Sequence, residues 1–558
     1  MLTGWRPVVS LGVCLAASGL LLSASYAPLE WDWLGWCALV PALVAAAPCG
    51  GLRRLLAGYL LGFVYCVTNL FWLNEIGFAA GVLLAIYCAC FPAAWYALTA
   101  ALAGALRASP AGEPPSALCR VPTGWRQSAL ILGSSLFWVG LEWLRSWLFT
   151  GFPWNDLGIS QWQRPALLSL TCFTGVAGIS ALLMVSNLAL AQVALTWWHG
   201  VRHGSPRRSG RVPAVTLGLA LVLAMVAAMM APTVPAPEAS LRVLAVQGNI
   251  PQCRVWTEEQ FDEAVAVYTG LTAQAVPVAR PDLVVWPESA VPAPLGYGPF
   301  RRRVDALMAE IQTPLLLGAL DSRALPDARW TGAEWEPPLQ DFNAAILLAP
   351  DGSTVETYDK IHRVPFGEYV PFGRYLPWLV DWIGMGRDLT PGSEYTLFDL
   401  GPGLLAGANI CFEDVFPEIS RNFVRRGATL LLTLTNDAWY AESAGSRQHL
   451  VHAVFRAAEN RRPLFRSGNN SDTCLILPDG RIEGLLYDPE TGRRFIRGTR
   501  VYDIPISLTP PETLFTRLGN WFARACAAGA ILLGLWLFRR HWRACARRRE
   551  AILKPHLS

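Results

Sequence analysis

Residues 404–413 read Leu404-Leu405-Ala406-Gly407-Ala408-Asn409-Ile410-Cys411-Phe412-Glu413, an apolar run that ends in a thiol, an aromatic ring and a carboxylate. The apolar part is too short for a core helix and fits a strand buried on both faces. Similar runs recur at 241–246, 283–286, 314–320, 344–348, 430–435 and 473–477. Helical periodicity at 258–276, 300–311, 417–426 and 447–460 separates several of them, and Asp351-Gly352 and Asp479-Gly480 follow strands as hairpin turns. Strands alternating with helices predict one layered α/β domain across 241–514.

On either side of that domain the composition changes. Hydrophobic residues make up 53% of the 558 and charged residues only 16%, too apolar a balance for an ordinary soluble enzyme. A spanning helix needs about 20 mostly apolar residues. Eight runs qualify or nearly do: 8–25, 33–48, 55–73, 78–106, 127–148, 166–196, 213–231 and 521–538. The expected fold is therefore an α-helical membrane bundle of about eight spans plus an α/β domain. The expected division is a membrane region of seven helices over 1–235, a catalytic domain over 236–515, and a last helix with a basic tail over 516–558. The Pro-rich stretch 233–239 reads as a stiff linker.

Orientation follows from Lys and Arg in short loops. Arg53 and Arg54, then Arg107, Arg120 and Arg126, then Arg202, Arg207, Arg208 and Arg211 fall in alternate connections. The tail adds Arg539, Arg540, Arg543, Arg547, Arg548, Arg549 and Lys554. The opposite loops carry Glu30, Asp32, Glu75, Asn155 and Asp156, with Arg164 the exception. With eight spans, every basic cluster lies in the cytoplasm and 236–515 faces the periplasm. A cleaved leader ending at Ser23-Ala24-Ser25 would break this alternation and is the weaker reading. The net charge of +4 comes partly from these clusters, so nucleic acid is not an expected partner. Of 13 cysteines, only Cys253, Cys411 and Cys474 fall in the outer segment. An odd number leaves at least one thiol free, and the spacing leaves open whether Cys253 and Cys474 pair; it suggests no zinc site.

Three strand ends carry groups that fit one chemistry. Trp286-Pro287-Glu288-Ser289 closes a strand, Tyr358-Asp359-Lys360 follows a hairpin, and Cys411 closes the run quoted above. Taken singly, Cys411 would more often be a small buried hydrophobe, Glu288 a solvated loop carboxylate and Lys360 a surface charge. Taken together they supply what a thiol nucleophile requires: a base, and a cation or N–H to hold the developing oxyanion.

Further stretches carry a resemblance: Gln247-Gly248-Asn249-Ile250-Pro251, Tyr358-Asp359-Lys360 running into Val364-Pro365-Phe366-Gly367-Glu368-Tyr369-Val370-Pro371, Cys411-Phe412-Glu413, Thr435-Asn436-Asp437-Ala438-Trp439, Gln448-His449, Arg466 and Asn469-Asn470. With these the chain resembles the nitrilase superfamily, which shares a Glu-Lys-Cys triad on an α-β-β-α sandwich. More closely it resembles the apolipoprotein N-acyltransferases, bacterial membrane enzymes that complete lipoprotein maturation. The resemblance implies Cys411 as nucleophile, Glu288 as base and Lys360 as oxyanion stabiliser. It implies Glu368 and Glu413 as supporting carboxylates, with Trp256, Phe412 and Trp439 at the acyl pocket or its entry loops. Ala441 and Ser446 depart from the family's usual Gly and Pro in the loop after Trp439.

The implied reaction takes an acyl group from a phospholipid onto Cys411 as a thioester. The acceptor is the N-terminal amine of a diacylglyceryl-cysteine lipoprotein, at the outer face of the bacterial inner membrane. No cofactor or metal is implied. Competing expectations are a membrane-tethered amidase that uses water as acceptor, and a lipid-binding or transport protein with an inert domain. Within the membrane region, Glu142 and Arg145 lie three apart on one helical face, as an ion pair or a headgroup contact. Gly151-Phe152-Pro153-Trp154 reads first as an aromatic belt and second as a platform under the site.

Overall fold

The computed structural model describes residues 5–45, 50–77, 80–106, 124–203, 211–251, 257–291, 293–324, 339–383 and 388–553. Trp256 and Cys253 lie outside them, and with Cys253 the question of its pairing with Cys474. Arg107, Arg120, Arg207, Arg208 and Lys554 lie outside them too. The chain divides into two compact units, Met1–Ala231 with Asn520–Ser558, and Pro232–Gly519.

In the first unit, four helices among the described residues are long and apolar enough to cross a membrane: Ala80–Leu106, Val176–Trp198, Arg211–Met229 and Trp521–Arg547. The sequence predicts about eight, and the difference has local causes. The described part of the run at 33–48 folds as a tight 3-10 turn, Asp32–Trp36, and a short helix, Val40–Val44. The run at 166–196 folds as Pro165–Thr174 and Val176–His203 on either side of Gly175, whose φ is 64°, and still supplies one of the four. Gly51–Asn69 begins with two arginines, and Trp125–Arg145 buries Gln127, Ser134, Glu142 and Arg145, which lowers the hydropathy of both.

Glu142 and Arg145 do not pair with each other. Glu142 Oε1 accepts from the Trp138 indole and the Leu157 amide, both at 2.7 Å, whereas Arg145 bonds Asp156 at 2.7 Å. Both charges are thus held by the loop that follows their helix. The aromatic loop is not simply a belt either: Trp154 is buried against Trp72 and stacks on Phe152. Arg164, the exception in the charge pattern, pairs with Asp32.

The second unit holds two six-stranded sheets. Its strands are β1 Ala239–Gln247, β2 Leu283–Val285, β3 Leu315–Ala324, β4 Leu339–Leu348, β5 Thr354–Asp359, β6 Phe398–Asp399, β7 Leu405–Ile410, β8 Leu430–Thr435, β9 Leu464–Gly468, β10 Cys474–Ile476, β11 Ile482–Glu483 and β12 Gly498–Ile506. One sheet has the order β12-β1-β2-β3-β4-β5 and the other β11-β10-β9-β8-β7-β6. The sheets face each other through β1 with β9 and β4 with β7. Helices Glu258–Ala279 and Gly298–Ile311 cover the outside of the first, and Pro417–Arg425 and Ala444–Asn460 the outside of the second. Strand β1 shows why its sequence is apolar throughout. Leu244 and Val246 enter the core under the first helix pair, and by alternation the equally buried Val243 and Ala245 enter the layer between sheets. The outcome is the expected layered α/β domain, an α-β-β-α sandwich.

Strand direction decides where side chains gather. β1, β2 and β3 are parallel, and two antiparallel steps through β4 bring β5 back to the same direction. The segments after β2 and β5, which carry Glu288 and Lys360, therefore leave the first sheet at one end. In the second sheet β7, β8 and β9 are parallel, so Cys411, Asn436 and Asn469 leave it together.

Candidate active site

Cys411 is the first residue after β7 and has a φ of 52°. A left-handed backbone costs a side-chain-bearing residue about 1–2 kcal/mol, so the surrounding contacts must hold this elbow in place. One such contact is Glu413, whose Oε2 accepts from the Ile410 amide at 2.9 Å. Glu413 Oε1 accepts from the amides of Ile361 and His362 at 2.7 and 3.0 Å, and the Tyr358 hydroxyl adds a bond at 2.9 Å. One carboxylate therefore ties the thiol's elbow to the loop that carries Lys360. Burial pushes its pKa up to about 7 against the pull of those donors.

Lys360 is 1% exposed, and its Nζ donates to Glu368 Oε1 at 2.9 Å and Glu288 Oε1 at 3.3 Å. Burial alone would lower the ammonium's pKa, but Glu368 and Glu288 outweigh it and hold the group charged. Asn343, on β4, donates through Nδ2 to both carboxylates at 2.8 Å each. Glu288 Oε2 accepts from the Asn436 amide at 3.0 Å. Gly318 on β3 permits this approach, because a Cβ there would stand 2.5 Å from Glu288 Cα.

The Cys411 thiol is buried, and its pKa is raised by that burial and by the charges of Glu288 and Asp437, with Lys360 opposing. It rests as a thiol. Nucleophilic attack from this state requires a base at the moment of reaction, rather than a standing thiolate.

Behind the elbow lies a second buried set. Ligand-type atoms of Cys411, Asp437 and His449 fall within 4.8 Å of one another. Both imidazole nitrogens already face carboxylates, Nδ1 on Asp437 at 2.8 Å and Nε2 on Asp414 at 3.0 Å. Arg466 sits on the other oxygens of the same two aspartates at 2.8 and 2.9 Å. These contacts fit a protonated imidazole in an ion network better than a metal ligand.

Glu288, Lys360 and Glu368 are thus joined directly, and Glu413 links the Lys360 loop to the Cys411 elbow. Phe412 is buried against Phe416 at 5.1 Å between ring centres, and Trp439 is 42% exposed on a turn after β8. Asn343 and Asp414 escaped the sequence reading. Asn343 had a weak signal, an amide immediately before the apolar run 344–348.

Two family models match the chain, Apolipoprotein N-acyltransferase N-terminal domain over 18–189 and Carbon-nitrogen hydrolase over 242–503. A curated apolipoprotein N-acyltransferase of Geobacter metallireducens is 32% identical over 538 residues, covering 94% of each chain. The chain belongs to the apolipoprotein N-acyltransferase family. A second member, from Azotobacter vinelandii, is 35% identical over 73% of each chain. Among solved structures, an amidase from Nesterenkonia sp. overlaps 48% of this chain and 92% of its own, with 18% identity and a TM-score of 0.33. Membership makes the chain an acyltransferase with a carbon-nitrogen hydrolase domain, and it accounts for a helix-rich unit accompanying that domain.

Proposed function

We propose that the protein transfers a fatty acyl group from a phospholipid to the N-terminal amine of the S-diacylglyceryl-cysteine of apolipoproteins, with Cys411 as nucleophile, Glu288 as base and Lys360 as oxyanion stabiliser. The observation that carries the assignment is the buried Lys360 ammonium, shared by Glu288 and Glu368 at 3.3 and 2.9 Å on a loop tied to the Cys411 elbow. Glu288 takes the thiol proton as sulfur attacks the ester carbonyl. Lys360 stabilises the tetrahedral oxyanion, the ester C–O bond breaks, and the lysophospholipid leaves with the proton. The acceptor amine then attacks the thioester, Glu288 takes its proton, and the amide forms as the C–S bond breaks and the departing Cys411 sulfur receives that proton from Glu288. Two half-reactions through one sulfur give ping-pong kinetics.

In this reading the chain crosses the inner membrane about eight times, with 1–235 and 516–558 as its membrane part and 236–515 facing the periplasm. Phe412 and Trp439 line the acyl pocket or its entry loops.

The test is incubation of purified protein with labelled phospholipid, followed by a diacylated lipopeptide. Labelled thioester should accumulate in the wild type and be absent from Cys411→Ala. Thioester in Cys411→Ala removes the assignment. Release of free fatty acid in place of N-acylated lipopeptide indicates the amidase reading instead.

A further inference from the structure

The Cys411 carbonyl points into a closed ionic cluster. His449 Nε2, on the helix Ala444–Asn460, lies 3.3 Å from that carbonyl oxygen and 3.0 Å from Asp414 Oδ1. His449 Nδ1 is 2.8 Å from Asp437 Oδ1, and Arg466 closes the ring on both aspartates. The side chains of all four residues are 0% exposed. Two carboxylates, one guanidinium and one imidazolium sum to zero charge. A lone buried charge is costly, whereas a neutral set of mutually paired charges persists. Burial alone would lower the His449 pKa, but Asp414 and Asp437 raise it to about 9, so both ring nitrogens carry protons at neutral pH.

The peptide between Cys411 and Phe412 is planar and trans, so its C=O and its N–H point in opposite directions. With the oxygen held toward His449, the Phe412 N–H is aimed away from the cluster, on the side of the elbow opposite His449. We propose that His449 is a positioning residue for acyl transfer: by holding the Cys411 carbonyl it fixes the Phe412 N–H as an oxyanion donor, alongside Lys360. The inference rests on the assignment of Cys411 as nucleophile. His449 touches neither substrate nor the reacting carbonyl; it acts through one peptide plane. Asp414 and Asp437 keep the ring charged and oriented, and Arg466 fixes the two aspartates.

Positioning and simple structural support differ in what they affect. Thioester formation develops an oxyanion, whereas alkylation of the same sulfur by iodoacetamide does not. In His449→Ala the single-turnover rate of labelled thioester formation should fall about 100-fold with KM for phospholipid within about twofold, the signature of a lost transition-state donor. The Cys411 alkylation rate should stay within about threefold, because no donor to a carbonyl oxygen is involved. The double variant His449→Gln/Asp414→Asn removes one charge of each sign, so the cluster stays neutral and the fold has a second route to survive. It should melt near the wild type, alkylate normally and still acylate slowly.

Equal loss of acylation and alkylation in both variants reduces His449 to structural support. Wild-type acylation in either variant, once folded, also overturns the proposal. Cys411→Ala, run in parallel, tests the nucleophile on its own: thioester persisting there rejects the Cys411 assignment whatever His449 does.

Discussion

Lys360 Nζ lies 2.9 Å from Glu368 Oε1 and 3.3 Å from Glu288 Oε1, so the buried ammonium leans toward the carboxylate on its own loop. The longer contact leaves Glu288, the proposed base, the less engaged of the two carboxylates with the ammonium. In Glu368→Gln the ammonium should move onto Glu288 and occupy the lone pair that would receive the proton. We expect thioester formation to fall about 100-fold in Glu368→Gln, comparable to losing a preorganised electrostatic contact. Glu288→Gln should cost about 100- to 10,000-fold, the range for a general base. Single-turnover labelling with phospholipid separates the two. A Glu368→Gln enzyme acylating at the wild-type rate would show that Lys360 needs only one carboxylate.

Glu413 accepts from three amides and one hydroxyl, at the end of β7 and on β5 with the loop that follows it. Glu413→Gln keeps the shape but turns an acceptor into a group with two donors, which then faces other donors. Each buried donor left unmet costs about 1–3 kcal/mol. We expect a lower melting temperature in detergent and a thioester rate reduced along with it, because the Cys411 elbow and the Lys360 loop lose their common anchor. Unchanged melting with normal acylation would remove Glu413 from this role.

The sequence made the strands at 241–246, 404–410 and 430–435 legible because both faces of each are covered, so almost every residue is apolar. It also placed Glu288, Lys360 and Cys411 at strand ends. It could not place Asn343 between Glu288 and Glu368, because that contact depends on register across the β4–β5 hairpin. Nor could it show that Arg145 pairs with Asp156 rather than Glu142, since helical spacing is blind to a loop that folds back. β5 and β12 were missed for another reason: they alternate polar and apolar residues at the ends of the first sheet, and Glu356 or Arg500 dilutes the apolar signal. Among the described residues, polar groups keep two of the eight expected runs from standing out as long apolar helices, through Arg53 and Arg54 in one and Gln127, Glu142 and Arg145 in the other.

Gly318 tests the backbone side of the site. A Cβ at this position would lie 2.5 Å from both the Pro287 oxygen and Glu288 Cα, neither of which can swing away. Gly318→Ala should therefore destabilise by about 1–3 kcal/mol, the usual cost of overpacking, and displace Glu288 from Lys360. Gly270→Ala is the control: it sits in the helix Glu258–Ala279 with nothing within 4 Å of the new methyl, so helix propensity should make it neutral or slightly stabilising. Thermal denaturation and thioester labelling of the pair would show whether the close approach of β3 governs the base. Equal behaviour of the two variants would argue that it does not.

The buried histidines set opposite limits on pH stability. His362, stacked on Phe416 at 3.7 Å, has its pKa lowered to about 4 by burial and by Lys360. A depressed histidine favours the fold while neutral, so its contribution is lost as pH falls from 6.5 toward 4. His449 is the reverse. Its pKa stands near 9 against an ordinary 6.5, so its contribution is complete below 6.5 and vanishes as pH rises through 9. A shift of that size in a fully buried ring corresponds to about 3 kcal/mol, as an order of magnitude. Wild-type protein in detergent should thus lose stability on the alkaline side between pH 6.5 and 9, and His449→Gln, lower at neutral pH, should be flatter across that window. His362→Gln should leave the alkaline limb intact and soften the acid one. Parallel alkaline limbs in wild type and His449→Gln would mean that the ring is neutral in the fold, and that Arg466 alone balances the two aspartates.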